Sequence, residues 1–599
     1  MIIISRIPLF WVSVLATFLS AACQKTEKKP MNVVLVLIDD QGYGSLSCHG
    51  NPDLQTPHMD KLWAESVRLI DFHVDPTCSP TRAALHTGRY SHRAHVWHTV
   101  AGRERMHPDE MTMAEVFKNS GYHTALFGKW HLGHTYPYRP IDRGFDYSVA
   151  RTRNWYRDRW ANELTDYHKT WMEEGYSPDV FFTHAKDYIR KHKDEPFFVS
   201  IATHVPHVEW CVKPEWAEPF TQKGLPASVA VYYASVAQLD SSFGDFTHFF
   251  QEEGLEENTI LIFMTDNGTA NNNPANYNAG MRGAKASIYD GGHRVPCFWY
   301  APSLGINEGR DISKLTAHVD ILPTLIDLLE LTPTKEVYYD GTSILPLLKD
   351  DAAAWPERTL LVESQRVAFP KKWLRSCVMT DKWRMINGNE LYDMEQDPGQ
   401  KTDVAAAHPE VMDTLKAFYE AQWPGLSYRD DEFCRMVLGH PLEPVTKMFA
   451  LDWLPTQGGT PWKRIGHIDE GMVSNGYHVL DVHTPGTYEF RLRRWFPETN
   501  GKISSSIEPY HSVMVYNKDG QVLPFITPVG KALSIQKASV RIAGKEKTIA
   551  VGEGDVFAAL RFELPAGPAK LEAEFTDKQG VVRGVYHVEV EKVEEFSKE

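Results

Sequence analysis

Three apolar, β-branched runs constrain this chain more than any other feature: Asn32–Ile38 (NVVLVLI), residues 196–202 (PFFVSIA) and Thr259–Thr265 (TILIFMT). A strand with one wet face alternates apolar and polar residues. Runs that stay apolar fit strands covered on both faces, in a parallel sheet flanked by helices. A fourth strand is expected over residues 122–127, after a helix over 112–119 that Gly121 stops. The sequence thus predicts an α/β fold, and 599 residues are too many for one core. Each run opens onto polar residues: Asp39-Asp40-Gln41-Gly42, Gly128-Lys129-Trp130-His131, Thr203-His204-Val205-Pro206-His207 and Asp266-Asn267-Gly268. Open α/β sheets bind ligands at the carboxyl ends of strands, so chemistry is expected at these four junctions.

The residue types narrow that chemistry. Adjacent carboxylates at Asp39 and Asp40 repel unless a hard cation lies between them, and Asp266 and Asn267 add two more oxygen donors. An oxygen-only set suits calcium and disfavours zinc, which prefers thiolate and imidazole. If the strand continues, Lys129 and His131 fall on one wall of a pocket. Residues 76–90 carry Cys78-x-Pro80-x-Arg82 before good helix formers, which predicts a helix with Ser79 near its N-cap and Pro80 in its first turn. Cys78 then sits at a helix N-terminus, where free N–H groups favour an anion and Arg82 and Arg89 add charge. Residues 282–296 contribute a further cation, Lys285.

Asp39-Asp40-x-Gly42, Cys78-x-Pro80-x-Arg82 with Thr87-Gly88-Arg89, Gly128-Lys129-Trp130-His131-Leu132-Gly133, Asp266-Asn267-Gly268 and the 282–296 block together resemble the type I (formylglycine-dependent) sulfatases. The resemblance covers residues 31–425. It implies an alkaline-phosphatase/sulfatase-like mixed sheet sandwiched by helices, with a catalytic α/β domain over 31–350 and a small C-terminal antiparallel-sheet subdomain over 351–425. It also implies that a formylglycine-generating maturation enzyme oxidises Cys78 to formylglycine (3-oxoalanine), whose hydrate is the nucleophile. By the same resemblance, Asp39, Asp40, Cys78 in its modified form, Asp266 and Asn267 hold Ca2+. Lys129 and Lys285 contact the sulfate, Arg82 orients residue 78, His131 takes a proton from its second hydroxyl, and His207 protonates the leaving oxygen. Two departures stand out: Thr81 replaces the usual Ser, and Glu209 replaces the last proline of Pro-His-x-Pro, which leaves His204 as the alternative to His207. The implied activity is hydrolysis of sulfate esters on a sulfated polysaccharide or its oligosaccharides. A phosphate or phosphonate monoester hydrolase of the same fold and a non-catalytic glycan-binding lipoprotein are the alternatives.

Outside that block, short alternating runs over residues 445–599, split by Gly and Pro, predict an appended β-sandwich accessory domain. Residues 151–160 interleave four arginines with three aromatics, a candidate subsite for a sulfated glycan. Residues 1–22 read as a signal peptide: Arg6 is the lone charge, an apolar stretch follows, and Ser20, Ala21 and Ala22 precede Cys23. Acylation of Cys23 in a loose lipobox and plain cleavage after Ala22 both fit. The lipid anchor is preferred, with residues 23–30 as a tether and the periplasm or outer membrane as the location. If Cys23 and Cys78 are both modified, five of the seven cysteines remain (Cys48, Cys211, Cys297, Cys377 and Cys434), and an odd number cannot all pair. The net charge of −15 argues against nucleic acid and requires local cations for any anionic substrate.

Overall fold

A computed structural model of the chain describes residues 30–593, apart from 152–159, 209, 351–352, 462–466, 508–510, 517–521 and 527–529. The signal segment, Cys23, Glu209 and most of the 151–160 loop lie outside the described residues. No helix among the described residues is long and apolar enough to cross a membrane.

Asn32–Ile38, buried at every position, is a central strand of a ten-stranded sheet. It pairs in parallel with Thr259–Thr265 on one side and Phe197–Ala202 on the other, and His123–Gly128 continues the parallel run beyond Phe197–Ala202. Because every residue is apolar, period-two alternation divides the strand between two cores. Val33, Leu35 and Leu37 face Met113, Phe117, Leu322 and Leu325. Val34, Val36 and Ile38 face Met59, Phe181, Phe182, Phe243 and Phe246. The outer strands turn antiparallel, with Cys297–Tyr300 at one side and Ala161–Thr165 at the other.

Register carries the fold to the site. Leu37 lies opposite both Ala202 and Met264, and Gly128 lies opposite Ala202, so four neighbouring strands end at one level. Backbone bonds keep that level one residue further: Asp266 N–H donates to Ile38 O (3.0 Å), Thr203 N–H to Leu37 O (3.0 Å) and Lys129 N–H to Ala202 O (2.8 Å).

The strands Leu360–Glu363, Ser376–Met379, Trp383–Ile386 and Glu390–Asp393 form an antiparallel sheet. The helix Pro409–Leu426 packs on it through Met412, Leu415 and Tyr419. Beyond it, a seven-stranded and a four-stranded sheet enclose a third core that includes Leu480, Val540 and Leu571 from one and Phe490, Phe562 and Val588 from the other. Strand Ala558–Leu564 shows the expected alternation, buried at every second residue. The sandwich docks on the catalytic part through a fully buried Arg105–Asp452 pair at 3.2 Å. The cysteines among the described residues, Cys48, Cys78, Cys211, Cys297, Cys377 and Cys434, are all free.

A buried imidazole joins the two parts of the sulfatase-like block. His92 Nδ1 meets Glu363 Oε1 at 2.6 Å and its Nε2 meets Asp430 Oδ1 at 2.7 Å. Burial opposes its charge, but the two carboxylates prevail and raise its pKa to about 9. An unfolded histidine titrates near about 6.5, so the contribution is fully present below that pH and fades as pH rises to 9. The shift corresponds to about 3 kcal/mol. The melting midpoint should therefore fall between pH 6 and pH 9.5 by more in the native protein than in His92→Gln; equal falls would count against the clamp.

Candidate active site

The helix Cys78–Thr87 is buried at all ten positions and brings Cys78 to the level where the four strands end. Its N-cap is Thr77, with extended backbone, and not Ser79 as the sequence suggested. Pro80 therefore occupies the third helical position, which it tolerates because that N–H has no intrahelical partner either. The Thr81 hydroxyl donates to Asp75 O at 2.8 Å, a role the usual serine would fill equally. Arg89 does not add charge at Cys78: it lies beyond the far end of the helix and binds both oxygens of Glu110 (2.9 and 2.7 Å).

Arg82 is fully buried and forks onto Asp266 Oδ2 through Nη2 (2.8 Å) and Nε (3.2 Å). Asp266 Oδ1 in turn accepts from Asp40 N–H at 3.1 Å. Lys129 Nζ lies 2.7 Å from Asp39 Oδ2, and Lys285 Nζ reaches both oxygens of Asp40 at 2.6 and 2.7 Å. Asn267 Nδ2 donates to Asp40 Oδ1 at 2.9 Å. Gly268 permits this turn, because a Cβ there would meet Gly291 O at 2.0 Å.

Lys129 and His131 do share a wall, but not by strand alternation. The strand ends at Gly128, whose φ of 107° and closeness to Ala202 O exclude a side chain, and His131 itself has φ of 62°. His131 Nδ1 stands 3.4 Å from Cys78 Sγ, and its Nε2 lies 3.1 Å from Thr99 O. A carbonyl can only accept, so Nε2 carries the proton and Nδ1 presents its lone pair to residue 78. Thr99 is a functional neighbour that sequence reasoning missed, since a backbone carbonyl leaves no side-chain signature. His207 Nε2 lies 3.7 Å from Asp40 Oδ2, while the His204 ring stacks near Phe181 at 5.8 Å. The geometry thus brings His207 rather than His204 to the carboxylates.

The electrostatics describe a cation site. Burial would raise Asp39, yet Lys129, His207, Arg82 and Lys285 hold it well below the usual carboxylate range. Burial raises Asp40 against the pull of Lys285, with the Asp39 charge adding to the rise. Asp266 is pushed up to about 7 by burial and by Asp39, against Arg82. Asp39, Cys78 and Asp266 can each place a ligand atom within 4.8 Å of the others. Asp39 Oδ1 and Asn267 Oδ1 are buried and accept no hydrogen bond, so two oxygens are prepared for a hard cation. The donors present fit calcium. Calcium at about 100-fold over its Kd should stabilise the protein by ~2.7 kcal/mol, read as a rise in melting midpoint that EDTA reverses and Asn267→Ala diminishes. A native protein indifferent to both would lack the site.

Residues 31–331, half of the chain, match the sulfatase family model. The chain is 30% identical over 359 residues to N-acetylgalactosamine-6-sulfatase of Homo sapiens, covering 53% of this chain and 66% of that protein, just under two thirds of its length. It is 28% identical over 457 residues to human arylsulfatase A, covering 65% and 87% respectively. Among solved structures, one of a protein in complex with k-i-k-neocarrahexaose superposes with a TM-score of 0.60 at 24% identity, over 66% of this chain and 93% of that one. The motif order, the shared strand level and the family match lead to one conclusion: the chain belongs to the sulfatase family.

Proposed function

We propose that the protein hydrolyses sulfate esters of a sulfated glycan at Cys78, with Asp39, Asp40, Asp266 and Asn267 holding Ca2+. The observation that carries this reading is the placement of Cys78 Sγ 3.4 Å from His131 Nδ1 within the carboxylate and lysine cluster. The thiol itself suits the chemistry poorly. Burial raises its pKa despite Lys129 and Lys285, so unmodified Cys78 stays protonated and weakly nucleophilic at neutral pH. Conversion to formylglycine by the maturation enzyme, and addition of water to its aldehyde, would supply a hydroxyl nucleophile instead, and calcium would neutralise charge on the sulfate oxygens.

The remaining groups follow from their atoms. Lys129 and Lys285 bind the sulfate oxygens, two fixed ammoniums that stabilise negative charge as the ester bond breaks. His131 Nδ1, held by Thr99, removes the proton from a hydroxyl at position 78. His207 donates its Nδ1 proton to Val208 O, which leaves Nε2 to carry a second proton to the departing sugar oxygen. Arg82 locks Asp266 and so fixes the helix that carries residue 78. A glycan substrate is supported by the names of the human relative and of the oligosaccharide held by the structural neighbour. Export and an anchor at Cys23 belong to the same reading and rest on residues 1–23.

Protein made with the maturation enzyme should hydrolyse 4-nitrophenyl sulfate faster than 4-nitrophenyl phosphate, and its tryptic peptide 69–82 should carry the formylglycine mass. The opposite preference would favour the phosphoester alternative, and an inactive protein whose Cys78 stays unconverted the binding-lipoprotein one. Cys78→Ala should abolish turnover with the fold intact. His207→Ala should slow a sugar sulfate by about 10²–10⁴-fold but 4-nitrophenyl sulfate far less, because nitrophenolate leaves without a proton. Equal losses on both would remove His207 from the acid role.

A further inference from the structure

The rim beside Cys78 is built partly by the C-terminal antiparallel sheet. Ser364 follows the strand Leu360–Glu363, and its Oγ bonds the Oγ1 of Thr77, the N-cap residue next to Cys78. On one side of this contact is Arg366, whose backbone N–H donates to Trp97 O at 3.0 Å. On the other is Arg375, whose carbonyl accepts from Ser364 N–H at 3.3 Å. The two arginines therefore flank a residue bonded to the helix cap that positions Cys78. Trp97 leads into His98 and Thr99, and Thr99 O holds His131. His98 Nδ1 accepts from Thr99 N–H at 2.7 Å, so its Nε2 bears the hydrogen and acts as a neutral donor.

Three observations set this group apart from ordinary surface arginines. Among the described residues neither guanidinium forms an ion pair or a hydrogen bond, although both are exposed. Burial of part of the side chain and the charge of Arg375 lower the Arg366 pKa, and only Cys78 raises it, so no carboxylate offsets that lowering at Arg366. Both residues adopt left-handed backbone, φ 55° at Arg366 and 50° at Arg375, as do Asp40 (65°) and His131 (62°). Such a conformation costs a non-glycine residue energy and clusters where side chains are aimed for function. The loop is also held rigidly, since Trp97 Nε1 donates to Val367 O at 3.1 Å and Arg103 Nε to Ala368 O at 2.9 Å.

We infer that Arg366, Arg375 and His98 form a second oxyanion subsite, which binds a carboxylate or a further sulfate on the glycan whose sulfate ester lies at Cys78, on the same or the adjoining sugar. This deepens the sulfatase reading and rests on it: the substrate class becomes a glycan unit with two negative groups. Two like charges held beside each other gain most from a shared oxyanion, which arginine forks bind bidentately.

Binding is the measurement, in the Cys78→Ala protein, where turnover cannot intervene. Calorimetry compares disaccharides that differ only in the second anion. In one arm the chondroitin 6-sulfate disaccharide, with its uronate carboxylate, is set against the same disaccharide with that carboxyl group reduced to the alcohol. In the other, carrageenan disaccharides with two sulfates are set against those with one. At least one arm should show a tenfold or greater preference for the doubly charged member, and Arg366→Ala with Arg375→Ala should reduce that ratio below twofold. No preference in either arm, or a preference that survives the double substitution, overturns the subsite. Because the ratio is read without catalysis, it decides the question independently of 4-nitrophenyl sulfate turnover, whose absence in the native protein would instead defeat the sulfatase reading.

Discussion

Three carboxylates buried at one point govern this structure. Taking Asp39, Asp40 and Asp266 out of water together would cost several kcal/mol per ion if nothing compensated them. Compensation arrives from three separate segments: Arg82 from a helix, Lys129 from a strand end and Lys285 from a loop. The charge balance is thus met only when the sheet, the Cys78 helix and the 282–296 loop are all in place. Fold and site are one constraint here, because the residues that would react are also those that make the centre affordable to bury.

The same balance explains the placement of the two lysines. Each ammonium rests on a carboxylate that also belongs to the cation set, Lys129 on Asp39 and Lys285 on Asp40. A divalent cation held by those oxygens would supply the compensation that the lysines otherwise give, and would leave their donors available to an anionic substrate. Cation and anionic substrate would then favour each other, since a lysine that bound the substrate would leave its carboxylate to the metal. His131 and His207 are oriented by backbone carbonyls, and His207 also adds to the balance around Asp39 and Asp40. Each spends one ring nitrogen on a backbone carbonyl, of Thr99 and Val208, and keeps the other for the site.

Legibility in the sequence followed physical locality. Asn32–Ile38 and Thr259–Thr265 could be bounded to the residue, because a run apolar at every position has few homes except a strand covered on both faces. The oxygen donors were legible for the same reason, as they begin where the apolar run stops. Backbone conformation was not: the left-handed turns at Asp40 and His131 have no glycine to announce them, so the shared direction of Lys129 and His131 was expected for the wrong cause. The helix is capped at Thr77 rather than Ser79, and the Thr77 hydroxyl is engaged by Ser364, a tertiary contact that local sequence does not announce. Arg366 and Arg375 were silent in sequence for a related reason, since only the pairing of Glu363 with Ser376 brings them together.

Net charge acquires a different meaning once the site is in view. A chain of −15 repels polyanions at a distance, yet the Debye length at physiological salt is about 8 Å, so most of that charge is screened from a ligand at the rim. The cations at the site are Lys129 and Lys285, which already face carboxylates, and on the reading proposed above Arg366 and Arg375 would join them at the rim. On that reading the two arginines would set the local sign that an approaching anion senses. Recognition would then come from contact rather than long-range steering, and selectivity would rest on how many anionic groups a sugar can present at the spacing between Cys78 and the rim.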